Sequence, residues 1–220
     1  MLALDRAVRD GLDVARLFTI YEGSSDRVRF HGVAPSLVQA QARALNIPLL
    51  LDHTHPDTYE AALTRVLDRL RAEGIGGIIF GNIHLADIRA WYEERVRAAG
   101  FEHVEPLWHV PGAAILQEVI DRGWRARIIS IDLKSTPRTW LGRVIDGRLA
   151  GELLARAELD PCGERGEFHS FVEDGPLFRR RVVPQVAGEL EMEGHLLLDL
   201  DTQITWIEDS PQYMRRFPSR

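Results

Sequence analysis

The chain has 220 residues, 33 acidic against 27 basic, and a formal net charge of −6. That length can bury a core in one domain or in a main domain with a smaller appendage, and the acidic balance argues against a duplex nucleic-acid binder, which needs a basic face. The single Cys162 cannot close an internal disulfide, and no apolar run approaches the roughly 20 residues that span a bilayer. The expected location is therefore cytoplasmic, with no membrane partner. Charge at Asp5 and Arg6 interrupts the first apolar residues, so the start does not read as a signal peptide but as the inside of a helix.

Leu2, Leu4, Ala7 and Val8 can share one helical face that ends at Gly11, and residues 14–21 read as a buried strand. Pro35 suits the first turn of a helix with Val38, Ala42 and Leu45 on one face, terminated by Asn46 and Pro48. Residues 49–51 make the next short strand. Asp57 and Glu60 have the spacing of a capping box, and Leu63, Val66, Leu67 and Leu70 form the stripe of the helix that follows, up to Gly74. Residues 75–80 read as a buried strand, and the next helix turns Ile88, Trp91, Tyr92 and Val96 inward and stops at Gly100. A helix over 113–120 and a strand over 126–131 repeat the pattern, which is the signature of a doubly wound, mostly parallel sheet. Beyond Asp132 the grammar changes: a short helix near 151–159, a Gly/Pro-rich turn, then β-like runs over 168–172, 179–183, 189–198 and 203–207. The expected fold is α/β, with a nucleotide-binding domain over 1–133 and a smaller α+β subdomain over 134–220.

In an open parallel sheet, ligands gather at the C-terminal ends of the strands, which directs attention to the loops after Tyr21, Phe80 and Ile131. Gly81 allows close backbone approach, and Asn82 can both donate and accept hydrogen bonds, although an ordinary strand-to-helix turn reads the same way. Asp52-His53-Thr54-His55 resembles a metal-binding pair and makes a metal-dependent hydrolase a rival reading, weakened by the absence of a second His/Asp cluster in the sequence. Cys162 has no identifiable activating partner. The segment 160–172 compresses Gly163, Glu164, Gly166, Glu167 and His169 between regular elements. These acids and the imidazole could align polar groups or move protons, or could stabilise a turn. Trp140, Gly142 and Arg143 combine an aromatic ring, a flexible backbone point and an anion-binding guanidinium. The Arg179-Arg180-Arg181 run could contact an acidic partner or form a solvated strand edge.

Read in order, four landmarks carry a family resemblance: Phe30-His31-Gly32-Val33; Phe80-Gly81-Asn82-Ile83 with Arg89, Glu93 and Pro106-Leu107-Trp108; Trp140-Leu141-Gly142-Arg143; and residues 163–171 followed by Asp174-Gly175-Pro176. Together they resemble the diphthine–ammonia ligase family of N-type ATP pyrophosphatases, with an adenine nucleotide alpha hydrolase or HUP-like fold. The resemblance implies a ligase that uses ATP and Mg²⁺ to activate a carboxylate as an acyl-adenylate, which ammonia then attacks to give an amide. It implies as partners a nucleotide, ammonia and a carboxylate acceptor, protein-borne or small. The oligomeric state is open, a homodimer among the options. It places His31, Gly32, Gly81, Asn82, Arg89, Glu93, Trp140, Gly142, Arg143, Gly163 and Gly166 in nucleotide or substrate binding, with Glu164, Glu167 and His169 in catalysis.

Families of this type carry a Ser-Gly-Gly-Lys-Asp-Ser phosphate loop after their first strand. The helix from Leu2 to Asp10 corresponds to the one that would follow it, so loop and strand are expected upstream of residue 1. The two expectations are a start placed inside a longer enzyme, or a shorter binding paralogue without ATP chemistry. Asn82 stands where the family pattern commonly has Asp, and Tyr92 where it often has Arg.

Overall fold

The computed structural model describes residues 1–23 and 32–207. The chain divides into two units, Met1–Arg29 with Ile47–Val110, and Phe30–Asn46 with Pro111–Arg220.

The first unit contains α1 (Leu2–Arg9), β1 (Leu17–Glu22), β2 (Leu49–Thr54), α3 (Tyr59–Ala72), β3 (Gly77–Ile79), α4 (Ala86–Ala98) and β4 (Glu102–Val104); α2 (Pro35–Leu45) belongs to the second. Strands β1 and β2 pair in parallel from Leu17↔Leu49 to Glu22↔Thr54, and β3 pairs in parallel with β4 from Gly77↔Glu102 to Ile79↔Val104. Ile20, Leu50 and Ile78 from these strands meet the stripe Leu63, Val66, Leu67 and Leu70 of α3, with Val96 and Phe101 completing the core. The stripe is where its spacing of three and four residues puts it. Its cap differs. A 3₁₀ turn over Pro56–Thr58 precedes α3, and His55 and Thr58 form the reciprocal cap, the His55 amide donating to Thr58 Oγ1 at 3.0 Å. Asp57 and Glu60 are thus not the capping pair. On α4, Val96 is buried and Trp91 and Tyr92 half-buried as expected, but Ile88 is exposed. Strand β4 was not anticipated: its three residues show no alternation long enough to read.

The second unit contains α2, α5 (Gly112–Asp121), β5 (Arg125–Asp132), α6 (Gly147–Leu154), β6 (Phe168–Asp174), β7 (Arg181–Met192) and β8 (His195–Ile207). Pro35 opens α2, and Asn46 closes it with φ 56°, the left-handed conformation that Asn tolerates. The sheet runs β6-β5-β8-β7 and every pairing is antiparallel. The α/β class is therefore present, but a doubly wound, mostly parallel sheet is not the arrangement of the described residues. Among the described residues, parallel pairing is confined to two two-stranded ribbons, and β5, expected in the parallel sheet, lies between β6 and β8. Alternating strand and helix patterns give the order of elements along a chain but leave each strand's partner open.

Two further boundaries move for local reasons. Helix α6 starts at Gly147 because the Asp146 carboxylate accepts the Leu149 amide at 2.8 Å. The run expected over 189–198 straddles a tight turn at Glu193 (φ 53°) and Gly194 (φ 82°), so four expected runs become three strands. Two successive positive φ values make the hairpin turn whose twist matches its strands. Trp140, Leu149, Leu153, Ile128, Ile131 and Phe168 belong to one buried cluster of this unit.

Gly175 follows β6, and a Cβ there would lie 2.0 Å from Cε3 of the buried Trp124 ring. A bulky indole flanked by neighbours cannot yield that much. Gly175→Ala should lower the unfolding free energy by about 2 kcal/mol or more through overpacking, read as a fall in the urea midpoint with an unchanged slope; an unchanged midpoint would refute the packing.

Candidate functional site

Each unit gathers expected residues into a polar cluster. In the first, the chain leaves the C-terminal ends of β3 and β4 side by side, which brings the 81–84 turn against the 105–108 turn. Asn82 Nδ2 donates to Glu105 Oε1 at 2.6 Å, and Arg89 Nε donates to Glu105 Oε2 at 2.6 Å. One turn along α4, Glu93 receives Arg89 at 2.9 Å and Arg97 at 2.7 Å. The Arg89 guanidinium also lies 4.8 Å from the centre of the Trp108 ring, within cation–π range. Gly81 sits beside Ala3, which an added Cβ would approach no closer than 3.9 Å. Asn82, Arg89 and Glu93 are therefore brought together, and their common hub is Glu105, whose side chain is only 3% exposed.

Glu105 escaped the sequence reading because a lone acid before Pro106 carries no motif. With Asn at 82, the contact is a donor meeting a carboxylate; an Asp there would set two carboxylates against each other. Behind Glu105 lies His103, whose ring is buried and has no hydrogen bond among the described residues. Its Nε2 is 3.4 Å from Glu105 Oε1, and the ring packs on Phe80 at 5.1 Å between centroids. Burial lowers the pKa of His103 and prevails over the opposing pull of Glu105 and Glu93.

In the second unit, the loop 160–167 is organised by Glu167. Its Oε1 accepts the Asp160 amide at 2.8 Å and its Oε2 the Arg165 amide at 3.1 Å, while its carbonyl accepts the Asp132 amide and the Thr136 hydroxyl. A buried carboxylate saturated by backbone donors sets the loop's shape. Gly163 has φ 74°, and a Cβ there would meet the Phe168 carbonyl at 2.6 Å, so only glycine fits. The Gly166 carbonyl lies 3.1 Å from His195 Nε2. Glu164 is half-buried in this loop, and His169 stands half-buried on β6 opposite Ser130 of β5. Cys162 lies among them, its thiol pushed up to about 12, first by burial and then by Asp160 and Glu164, which makes a poor nucleophile near neutral pH.

Trp140, Gly142 and Arg143 do not present a stacking ring and an available guanidinium. Trp140 is 2% exposed in the core, its Nε1 donating to Glu152 at 3.0 Å, and Arg143 binds Glu152 through both terminal nitrogens at 2.6 and 3.0 Å. Arg143 holds the Glu152 carboxyl below the usual range. The Gly142 carbonyl accepts Arg127 Nη1 at 2.7 Å. Gly32, also buried, packs so closely that a Cβ would lie 2.3 Å from Leu197 Cδ2. His31 lies outside the described residues. His53 and His55 have their ring centroids 6.5 Å apart, and His55 is occupied as the cap described above. Among the described residues, no group of three or more His, Cys, Asp or Glu side chains is placed to hold a metal ion, and no helix is long and apolar enough to cross a membrane.

Residues 1–103 match the diphthamide synthase N-terminal domain and residues 112–208 match the diphthamide synthase C-terminal domain. The chain belongs to the diphthine–ammonia ligase family. A curated relative, the diphthine–ammonia ligase of Schizosaccharomyces pombe (strain 972), is 30% identical over 98 residues, or 43% of this chain and 16% of that protein. The matched part of the chain thus spans about a sixth of that relative's length. The boundary between the two family domains, at 103–112, falls at the chain's passage from the first unit to the second at Val110 and Pro111.

Glu105 holds two donors in a nearly dry site. Glu105→Ala should cost about 2 kcal/mol, less than for a fully buried pair because Arg89 is partly exposed; chemical denaturation measures it, and a loss within error would remove Glu105 as the hub. Because the folded pKa of His103 is depressed, the unfolded chain takes up the proton first, so this group's contribution is present above about pH 6.5 and lost as the pH falls. His103→Phe should flatten the acid side of the stability profile between about pH 6.5 and 5, and an unchanged slope there would contradict it.

Proposed function

We propose that this chain serves an ATP-dependent amide-forming ligase reaction. Its family membership across both units supports this reading, together with the polar cluster at the parallel strand ends of the first unit, where α/β folds bind nucleotides. In the proposed reaction, a carboxylate oxygen attacks the α-phosphorus of ATP, the bond to the β-phosphate breaks, and pyrophosphate leaves. Ammonia then adds to the acyl carbon of the adenylate, AMP departs with the carbonyl–oxygen bonding pair, and the proton lost from nitrogen passes to a base.

In this reading the first unit supplies nucleotide or substrate contacts. Arg89, steadied by Glu105 and Glu93, and the Trp108 ring provide a fixed cation and an aromatic surface, and Gly81 leaves room for a ligand to approach the backbone. In the second unit, Glu164 and His169 are assigned the acceptor side and the proton transfers, and Glu167 the shaping of their loop rather than proton transfer, since backbone amides fill both its oxygens. Trp140, Gly142, Arg143 and Gly163 are assigned to support of that loop and its sheet. Mg²⁺ is given no residues, because the described donors form no cluster that fits it, and no step is written through it. The acceptor is a carboxylate, either the diphthine side chain of a translation elongation factor or a small acid, and the reading places the protein in the cytoplasm.

The test is MgATP-dependent pyrophosphate release by the full-length protein with ammonium and candidate carboxylates. Release that depends on the acceptor, with Arg89→Ala and His169→Ala each lowering kcat/KM by at least about tenfold, is the expected result. Silence with every acceptor while the protein is folded would replace the ligase reading with that of a ligand-binding paralogue.

A further inference from the structure

Three arginines of the second unit converge on one acid, and nothing above uses them. Arg125 and Arg127 lie two residues apart on β5, hence on one side of the strand apart from the local bulge. Arg181 closes the Arg179-Arg180-Arg181 run and opens β7. Glu173 of β6 is 1% exposed and accepts Arg125 Nε at 2.8 Å, Arg181 Nη2 at 3.0 Å, and Arg127 Nε. The next residue, Asp174, faces the same field, its carboxyl raised by burial and accepting its neighbour's Gly175 amide at 2.8 Å.

One buried carboxylate cannot balance three guanidiniums, which are never neutral near physiological pH. Even with Asp174 fully ionised, one positive charge remains in excess. The donors are in excess as well. Both terminal nitrogens of Arg125 make no hydrogen bond among the described residues, and Arg181 Nε is buried without one. The three side chains nevertheless retain 39%, 24% and 24% of their exposure, so solvent reaches each of them. Glu173 grips Arg125 and Arg127 through Nε, which leaves the terminal nitrogens of Arg125 and Nη2 of Arg127 to meet a second anion. A rigidly held guanidinium fork loses little entropy on meeting a tetrahedral oxyanion.

We propose that Arg125, Arg127 and Arg181 form a binding site for phosphate, free or as the terminal group of a small ester, with Glu173 as the residue that positions them. The site rests on this sheet alone and is independent of the ligase reading. Phosphate fits better than a lone carboxylate because its charge can answer the excess and its four oxygens can accept from several forks at once.

Inorganic phosphate titrated into the full chain at low ionic strength, followed by calorimetry and by the melting temperature, tests this directly. Saturable binding that raises the melting temperature and weakens with salt is expected. Arg125→Gln, the most exposed of the three, should weaken binding at least about tenfold, the loss of one charge-assisted contact. Glu173→Gln removes the competing acid and should tighten binding while making the protein less stable; a purely structural cluster would lose stability with no gain in affinity. Absence of saturable binding by the unaltered protein, equal binding of acetate, or phosphate binding unchanged in Arg125→Gln would each overturn the proposal.

Discussion

A β-strand has two hydrogen-bonding edges, and both edges of β5 are taken. Residues 125–131 pair with β6, and 130–132 pair with the start of β8, each antiparallel. Once both are occupied, β5 has no edge left for a parallel neighbour. Much of the second unit follows. The end of β5 delivers Asp132, whose amide donates to the Glu167 carbonyl and whose carboxylate receives Ser135 at 2.6 Å, so the loops after β5 and before β6 are fastened together. The backbone of 142–145 returns to the middle of the same strand through the Ile128, Gly142 and Ile145 amides, which buries Trp140 against it.

A second regularity is the treatment of acids. Glu105, Glu152, Glu167 and Glu173 each lie where several donors converge: an amide and a guanidinium on Glu105, an indole and a guanidinium on Glu152, two backbone amides on Glu167, three guanidiniums on Glu173. Glu105, Glu167 and Glu173 are nearly removed from water, which a carboxylate tolerates only when its oxygens are filled in this way, whereas Glu152 keeps 35% of its side-chain exposure. Such a group sets the geometry of its surroundings and has little left for a ligand. The chemistry then falls to groups that these acids position, Arg89 in the first unit and the side chains of the 160–167 loop and β6 in the second. The arginine cluster is the exception, because there the donors outnumber the acceptor.

Much of this was legible in the sequence. The apolar stripe of α3, the proline start and Asn46 stop of α2, and the strands β1, β2 and β6 followed from side-chain period and backbone preference, which act within a few residues. The family followed from ordered landmarks, and Asn82, Arg89 and Glu93 do meet. Other features depend on partners far along the chain. Glu105 is a hub only because β3 and β4 lie side by side, and Trp140 reads as a presented ring until its core is assembled around it.

The sequence by itself therefore determined the order and type of most elements, the family and some members of each polar cluster, because propensity, capping and motif are local or one-dimensional. Tertiary structure alone decided that β5 joins an antiparallel sheet, that α2 belongs with the second unit, and that Glu105 and Glu173 are the acids on which their clusters converge. Those outcomes depend on which edges and faces remain to be covered once the elements exist, and edges are filled by long-range pairing.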